Sequence, residues 1–150
     1  MFEHLKNFKP DGTAWLEMPE LGERAEIQLK PATEQNRSYY NGMLKASGKR
    51  ARSMVKGRIS TEDVEKNRRE DRKLYPKHVI VGWKNFETEE SRGKTWEDKE
   101  FIEFTPELAA ELCEKLPPHL FDRIRNFAAT PEEFYPEDEV APDPQELAGN

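Results

Sequence analysis

The segment FTPELAAELCEKLPPHLFDRIRNFAAT, residues 104–130, restricts the possible folds more than any other part of the sequence. Thr105 is a favourable helix N-cap, and Pro106 suits the first helical position, where a proline sacrifices no hydrogen bond. Apolar residues then recur every four positions, the spacing of one helix face. They are Phe104, Leu108, Leu112 and Leu116. This pattern predicts an amphipathic helix, which must bury one face against other parts of the chain.

Pro117 and Pro118 should end this helix and begin a second one. The apolar stripe of the second helix consists of Leu120, Phe121, Ile124, Phe127 and Ala128. Thr130 and Glu133 then follow the Thr-x-x-Glu pattern of a capping box, which predicts a further helical start. Cys113 lies on the apolar face of the first helix, so we expect it to pack in the core rather than to act as a nucleophile.

The N-terminal part of the chain predicts a β-hairpin. Two short runs, residues 14–18 and 25–29, are separated by the turn sequence PELGER, and apolar and polar residues alternate in the second run. Alternation with a period of two is typical of a half-buried strand. Farther along, Thr33 predicts the N-cap of one helix, and Ser60 or Thr61 predicts that of a long, highly charged helix. Pro76 should kink or break the long helix.

The apolar run HVIVGW, residues 78–83, can be interpreted in two ways. Its β-branched residues favour a buried strand. Its position directly after a helical segment favours the last turns of a kinked helix that ends at Gly82, and this is the expectation. Val79, Ile80 and Trp83 would then share one face and pack against the helix that begins at Pro106.

These segments predict an α+β, mainly α fold: an N-terminal β-hairpin followed by a compact bundle of four to five helices. A chain of 150 residues can build one core, and residues 1–135 are assigned to a single domain. Residues 136–150 contain several acidic residues and prolines but no lysine or arginine, so an acidic and flexible tail is expected. No apolar run approaches the ~20 residues of a membrane-spanning helix.

The residues predict no catalytic, metal or cofactor site. His4, His78 and His119 are scattered and lack the spacing of metal ligands. Carboxylates fall on helix starts, solvated faces and the tail, so no pair stands out as a general acid and base. The sequence contains neither a phosphate-binding glycine loop nor a nucleophile-elbow motif. We therefore expect a protein that is not an enzyme.

The basic segment 45–58 is the most pronounced charge feature, because it contains no acidic residue. Its cations are Lys45, Lys49, Arg50, Arg52, Lys56 and Arg58. On a helix several of them would form a stripe able to meet phosphates or an acidic protein surface. A solvated face is the simpler interpretation. Nucleic acid is the least favoured, because the formal net charge is -6 and no stacking aromatic residues are interleaved with the cations.

The order of these features resembles the tail assembly chaperones of long-tailed bacteriophages and prophages. The resemblance covers roughly residues 14–135 and rests on three short motifs. These are the Gly82 and Trp83 pair, the Phe104 to Glu107 helix start, and the ending of the last helix from Ala128 to Phe134.

The resemblance implies a non-enzymatic protein of the bacterial host cytoplasm that is absent from the mature virion. Such a protein binds the tape measure protein and helps to recruit tail tube protein subunits, and self-association is a further expected interaction. Binding of an amphipathic client helix needs an apolar strip framed by charge. The candidate anchors are Trp83, Phe86, Trp96, Phe101 and Phe104, of which Trp96 is expected to be the most exposed. Two alternatives stay open: a nucleic-acid-binding phage accessory protein that uses the basic segment, and a minor structural virion protein.

Overall fold

The computed structural model of the protein describes residues 1–47 and 61–136. The elements in chain order are strands β1 (Ala14–Glu17) and β2 (Glu26–Leu29), helices α1 (Arg37–Ser47) and α2 (Thr61–His78), strand β3 (Ile80–Lys84), and helices α3 (Pro106–Lys115) and α4 (Pro118–Ala128). Short 3-10 turns span Glu3–Phe8, Pro19–Leu21, Trp96–Asp98 and Pro131–Phe134. The predicted mainly helical α+β fold with an N-terminal hairpin is confirmed.

The three strands form one antiparallel sheet in the order β1-β2-β3. The register places Leu16 opposite Ile27 and Ile27 opposite Trp83, so these three side chains share one face. Ile27 is fully buried on that face. The hairpin predicted from residues 14–18 and 25–29 is therefore correct, and the third strand completes the sheet from a distant part of the sequence.

The prediction that residues 78–83 end a helix is wrong. α2 ends at His78, β3 begins at Ile80, and the Lys30 amide donates to the Val79 carbonyl over 2.8 Å. Within β3, Ile80 is buried and Val81 is half-buried, so neighbouring apolar residues lie on both faces of the strand and the sequence does not alternate. The expected break at Pro76 does not occur either: α2 runs through that residue to His78, so the proline removes its own backbone hydrogen bond without ending the helix.

Helix α1 begins four residues later than the predicted cap. The Asn36 side-chain oxygen accepts a hydrogen bond from the Tyr39 amide over 3.4 Å, which is the role of an N-cap. The Thr33 hydroxyl instead accepts one from the Gln35 amide over 3.3 Å, within the turn that precedes the helix. An asparagine three residues closer to Tyr39 thus provides the helix cap.

The predicted start of α3 is confirmed, and the predicted capping box after α4 is wrong. The Thr105 hydroxyl accepts a hydrogen bond from the Leu108 amide over 3.1 Å. The Thr130 hydroxyl donates back to the Asn126 carbonyl over 2.7 Å, and the residues that follow form only a 3-10 turn. The Thr130 hydroxyl therefore donates to a carbonyl at the C-terminal end of α4 and does not cap a following helix.

A network of charged side chains joins α1, α2 and α4. The two Asp71 oxygens accept from the Tyr39 hydroxyl and from Arg125 Nε, each over 2.8 Å. Arg125 also donates to Asp122 over 3.1 Å, and Arg68 reaches the same carboxylate with two bonds of 3.0 and 2.7 Å. Burial raises the pKa of Asp71 while the Arg125 charge opposes that rise. The network sets how these helices pack on one another.

The remaining core is apolar and joins the sheet to the helices. Its largest fully buried side chains include Tyr75, Phe121, Phe134 and Met18. Cys113 is fully buried as well, and burial raises the pKa of its thiol to about 12. The expectation that this cysteine packs in the core is confirmed.

Candidate partner-binding groove

An open groove of about 510 Å³ lies along α3, next to the end of β3 and the loops that follow it. We call it the Trp83 groove. Its apolar lining comes from Leu21, Trp83, Phe86, Ile102, Leu108, Leu112, Leu116, Pro117 and Leu120. The other lining residues are all charged.

The floor of the Trp83 groove is aromatic and well fixed. Trp83 is only 9% exposed, and its ring stacks on Phe86 with 4.4 Å between centroids. The edge of Phe104 packs against the same indole at 5.0 Å. The indole Nε1 donates to the Ile102 carbonyl over 2.8 Å. The indole therefore forms a rigid base, and the aliphatic side chains around it form most of the accessible surface.

The turn after β3 brings the two sides of the groove together. Asn85 has a positive φ of 62°, a conformation that asparagine tolerates better than most residues, and its side-chain amide donates to the Arg24 carbonyl over 3.1 Å. The Ile102 amide then donates to the Phe86 carbonyl over 2.7 Å. The chain thus returns alongside Phe86, which places Ile102 at the edge of the groove.

The α3 wall is fixed at both ends. Thr105 caps its start, and Arg72 of α2 reaches its last turn. Arg72 Nη1 donates to the Leu116 carbonyl over 2.9 Å and also to the Cys113 carbonyl, while its guanidinium lies 4.9 Å from the centre of the Phe121 ring. A cation at a helix C-terminus is favourable because it meets unpaired carbonyls and the negative end of the helix dipole. These contacts hold α3 against α2 with its apolar side toward the groove.

The rim of the Trp83 groove carries both negative and positive charge. Its charged residues are Glu20, Glu87, Glu89, Arg92, Glu111 and Lys115. The Arg123 guanidinium pairs with Glu20 through two bonds of 2.7 and 2.8 Å and lowers the pKa of that carboxyl. Lys99 Nζ lies 2.9 Å from Glu87 Oε1 and lowers the pKa of Glu87 in the same way. These two pairings favour the ionised form of Glu20 and of Glu87.

The structure brings together three of the five aromatic anchors predicted from the sequence. Trp83 and Phe86 line the Trp83 groove, and Phe104 contacts Trp83 while lining a separate depression between α2 and α3. Trp96 and Phe101 form another pair in the loop before α3, with 5.4 Å between their ring centroids. The Arg24 guanidinium lies 4.0 Å above Trp96, so Phe101 rather than Trp96 is the most exposed of the five.

Most of the predicted basic stripe cannot be placed. Lys45 lies exposed in the last turn of α1. The other five cations, Lys49, Arg50, Arg52, Lys56 and Arg58, lie outside the described residues.

Leu21 and Ile102 line the groove but were not predicted as site residues. Both lie in short irregular segments, where hydrophobic periodicity gives no signal. The dense apolar sequence FIEF, residues 101–104, is the one local indication, because it directly precedes the cap of α3. Leu21 gives no such indication, since it reaches the groove only through the fold of the β1-β2 turn.

The chemistry available in this groove is that of apolar binding with a charged border. Within residues 1–47 and 61–136, no three side chains of histidine, cysteine, aspartate or glutamate are grouped to hold a metal ion. In the same part of the chain, no helix combines the length and the apolar character needed to cross a membrane.

One comparison with known proteins identifies a family. The family model described as "YdaY prophage protein" matches residues 33–142 of the 150-residue chain. No match was found among curated proteins or among solved structures. The matched region includes the four helices of the described residues, strand β3 and most of the Trp83 groove. Because this match covers well over half of the sequence, the chain belongs to the YdaY prophage protein family.

Proposed function

We propose that this prophage protein is a non-enzymatic tail assembly chaperone that binds amphipathic helices of the tape measure protein in the Trp83 groove. The observation that carries the proposal is the groove itself, an open apolar surface of about 510 Å³ with a charged rim. A helix binds such a surface by inserting apolar residues from one face, while the rim keeps the complex in solution. Recruitment of tail tube protein to the bound tape measure protein is the second part of the proposed role.

Two further observations support this role. The motifs that resemble tail assembly chaperones contribute directly to the groove, since Trp83 forms its floor and the helix that begins at Pro106 forms one wall. The family is also one of prophage proteins. In contrast, Cys113 is buried with a raised thiol pKa, which is the opposite of what a nucleophile requires.

The test is a binding measurement with fragments of the tape measure protein encoded by the same prophage. Ile102 is 37% exposed at the groove edge, so an aspartate there should leave the fold intact while removing one apolar contact. Burying such a side chain contributes about 1.5–3 kcal/mol, and Ile102→Asp should therefore weaken binding about tenfold to a hundredfold.

Val64→Asp is the matched control, because Val64 is an exposed aliphatic residue on α2 that does not line the groove. It should bind the fragments as the unmodified protein does. Failure of the intact protein to retain any tape measure fragment would contradict the proposal, as would equal binding by the Ile102→Asp variant.

Two other measurements separate the alternative functions. Mass spectrometry of purified virions should find no copy of the protein, since a chaperone that acts in the host cytoplasm leaves before assembly ends. Its recovery from virions in stoichiometric amounts would favour a structural component. DNA binding that persists at physiological salt and is lost when Lys49, Arg50 and Arg52 are changed to glutamate would favour the nucleic-acid-binding alternative.

A further inference from the structure

The first residues of the chain present an apolar ridge to solvent. The turn Glu3–Phe8 is a 3-10 helix, a structure that repeats every three residues. Phe2, Leu5 and Phe8 are spaced by three, so they align along one face. They are 66%, 55% and 52% exposed, respectively. We call this feature the Phe2 ridge, and its contiguous apolar surface is of the kind that usually marks an interaction site.

The Phe2 ridge and the Trp83 groove lie near opposite ends of α4. The Phe8 ring packs on Tyr135 with 5.6 Å between centroids, just beyond the turn that follows α4. The groove instead uses Pro117 and Leu120, at the beginning of α4. An 11-residue helix is about 16 Å long, so the ridge is held away from the groove of its own molecule.

The charges beside the two features are complementary. Lys6 and Lys9 flank the ridge, where Glu3 is the one acidic residue. The groove rim carries four carboxylates, and three of them are already ion-paired: Glu20 with Arg123, Glu87 with Lys99 and Glu111 with Lys115. Glu89 is exposed on this rim and has no ion pair among the described residues. Glu89 is therefore the rim carboxylate that is available to pair with Lys6 or Lys9 when the ridge enters a groove.

We propose that the Phe2 ridge of one molecule docks in the Trp83 groove of a second copy of this chain. The apolar side chains of the ridge cover the aliphatic residues above Trp83, and Lys6 and Lys9 lie beside Glu89. The contact joins two different surfaces, so it is heterologous and each molecule keeps one free ridge or groove for a further copy. This contact rests on the proposed function only because it uses the same groove. No client is needed for the contact to form.

The test is the molar mass of the full-length chain in solution, measured by sedimentation over a range of concentrations. The average molar mass of the unmodified protein should rise above the 17.5 kDa of the monomer as the protein concentration increases. Leu5→Asp places a charge on the ridge, and Ile102→Asp places a charge at the edge of the groove. For each variant alone, the dissociation constant of self-association should rise at least tenfold. An equimolar mixture of the two should restore a species of twice the monomer mass but no larger one, because only one productive contact is left.

Controls distinguish this contact from misfolding and from other assemblies. Both substituted side chains are more than a third exposed, and each variant should keep the circular dichroism spectrum and melting temperature of the unmodified protein. Val64→Asp should associate normally, because its exposed side chain lies outside the ridge and the groove. A protein that stays monomeric at every concentration, or a mixture that fails to form the dimer, would overturn the inference. Loss of association in Leu5→Asp alone would also overturn it, since that result indicates a ridge-to-ridge contact.

Discussion

Replacing Trp83 by alanine tests whether the groove has the rigid aromatic floor described here. A tryptophan buries about 150–250 Å² of surface, which corresponds to roughly 4–6 kcal/mol as an upper estimate at about 25 cal/mol per Å². Trp83 is 9% exposed and packs between Phe86 and Phe104, so nearly all of this burial is lost in the variant. Measured costs of such truncations are about 3–5 kcal/mol, and we expect Trp83→Ala to fall in that range.

Urea denaturation followed by far-ultraviolet circular dichroism measures this loss. With a denaturant slope of about 2 kcal/mol per molar urea, the midpoint should fall by about 1.5–2.5 M at unchanged slope. Trp83→Phe keeps a ring to stack on Phe86 but leaves the Ile102 carbonyl without its 2.8 Å donor, so it should cost only about 1–2 kcal/mol.

Trp15→Ala is the control, because Trp15 is 42% exposed on the opposite face of the sheet from Trp83. Its free energy of unfolding should change by less than about 1 kcal/mol. If Trp83→Ala lowered the midpoint no more than Trp15→Ala, the indole would contribute little to stability. Trp83 would then act only as part of the binding surface.

Three further changes test the parts of the fold that position the groove. Arg125→Met leaves the buried carboxylate of Asp71 without its cation and should cost about 3–5 kcal/mol in urea denaturation, whereas an unchanged midpoint would show that the pair is not coupled to stability. The Arg68 guanidinium lowers the pKa of Asp122, so its stabilisation is present above the unfolded value near pH 4 and is lost as the pH falls through the lower folded value. Denaturation midpoints measured from pH 7 to pH 2 should fall less steeply in Asp122→Asn, and identical profiles would contradict this assignment. Gly22→Ala would place a Cβ 2.3 Å from a backbone carbonyl oxygen just after β3, and it should lower the free energy of unfolding by about 1–3 kcal/mol; a neutral result would show that this turn shifts freely.

The elements that could be predicted from the sequence are those whose signals are local. The Thr105 cap, the proline at the first position of α3 and the four-residue apolar spacing lie within one helix, and each acts in the structure as predicted. The alternation in residues 25–29 likewise predicts β2 because one face of that strand is more buried than the other. Local hydrogen bonding and one-sided burial are sufficient in these cases.

The errors occur where a distant contact decides the local structure. Strand β3 forms because Ile27 and Trp83 meet across more than fifty residues, and a strand apolar on both faces carries no period that distinguishes it from a helix end. The lining of the Trp83 groove could be predicted only in part for the same reason. Its aromatic floor was predicted from the density of large side chains, whereas Leu21 and Ile102 are brought to it by turns whose geometry depends on Asn85 and on the sheet.

The high charge of the chain explains how an apolar groove can stay open without causing indiscriminate aggregation. With 24 basic and 30 acidic residues, copies of the protein share a formal net charge of -6 and repel one another at long range. The Phe2 ridge differs from this average, because Lys6 and Lys9 flank its apolar residues. Under the proposed function, a ridge bound in the groove lowers the fraction of free grooves and therefore the apparent affinity for a client helix in the same proportion. The proposed client must then exceed the ridge in buried apolar area or in local concentration, which would give preference to a long helical protein over short exposed segments of unrelated proteins.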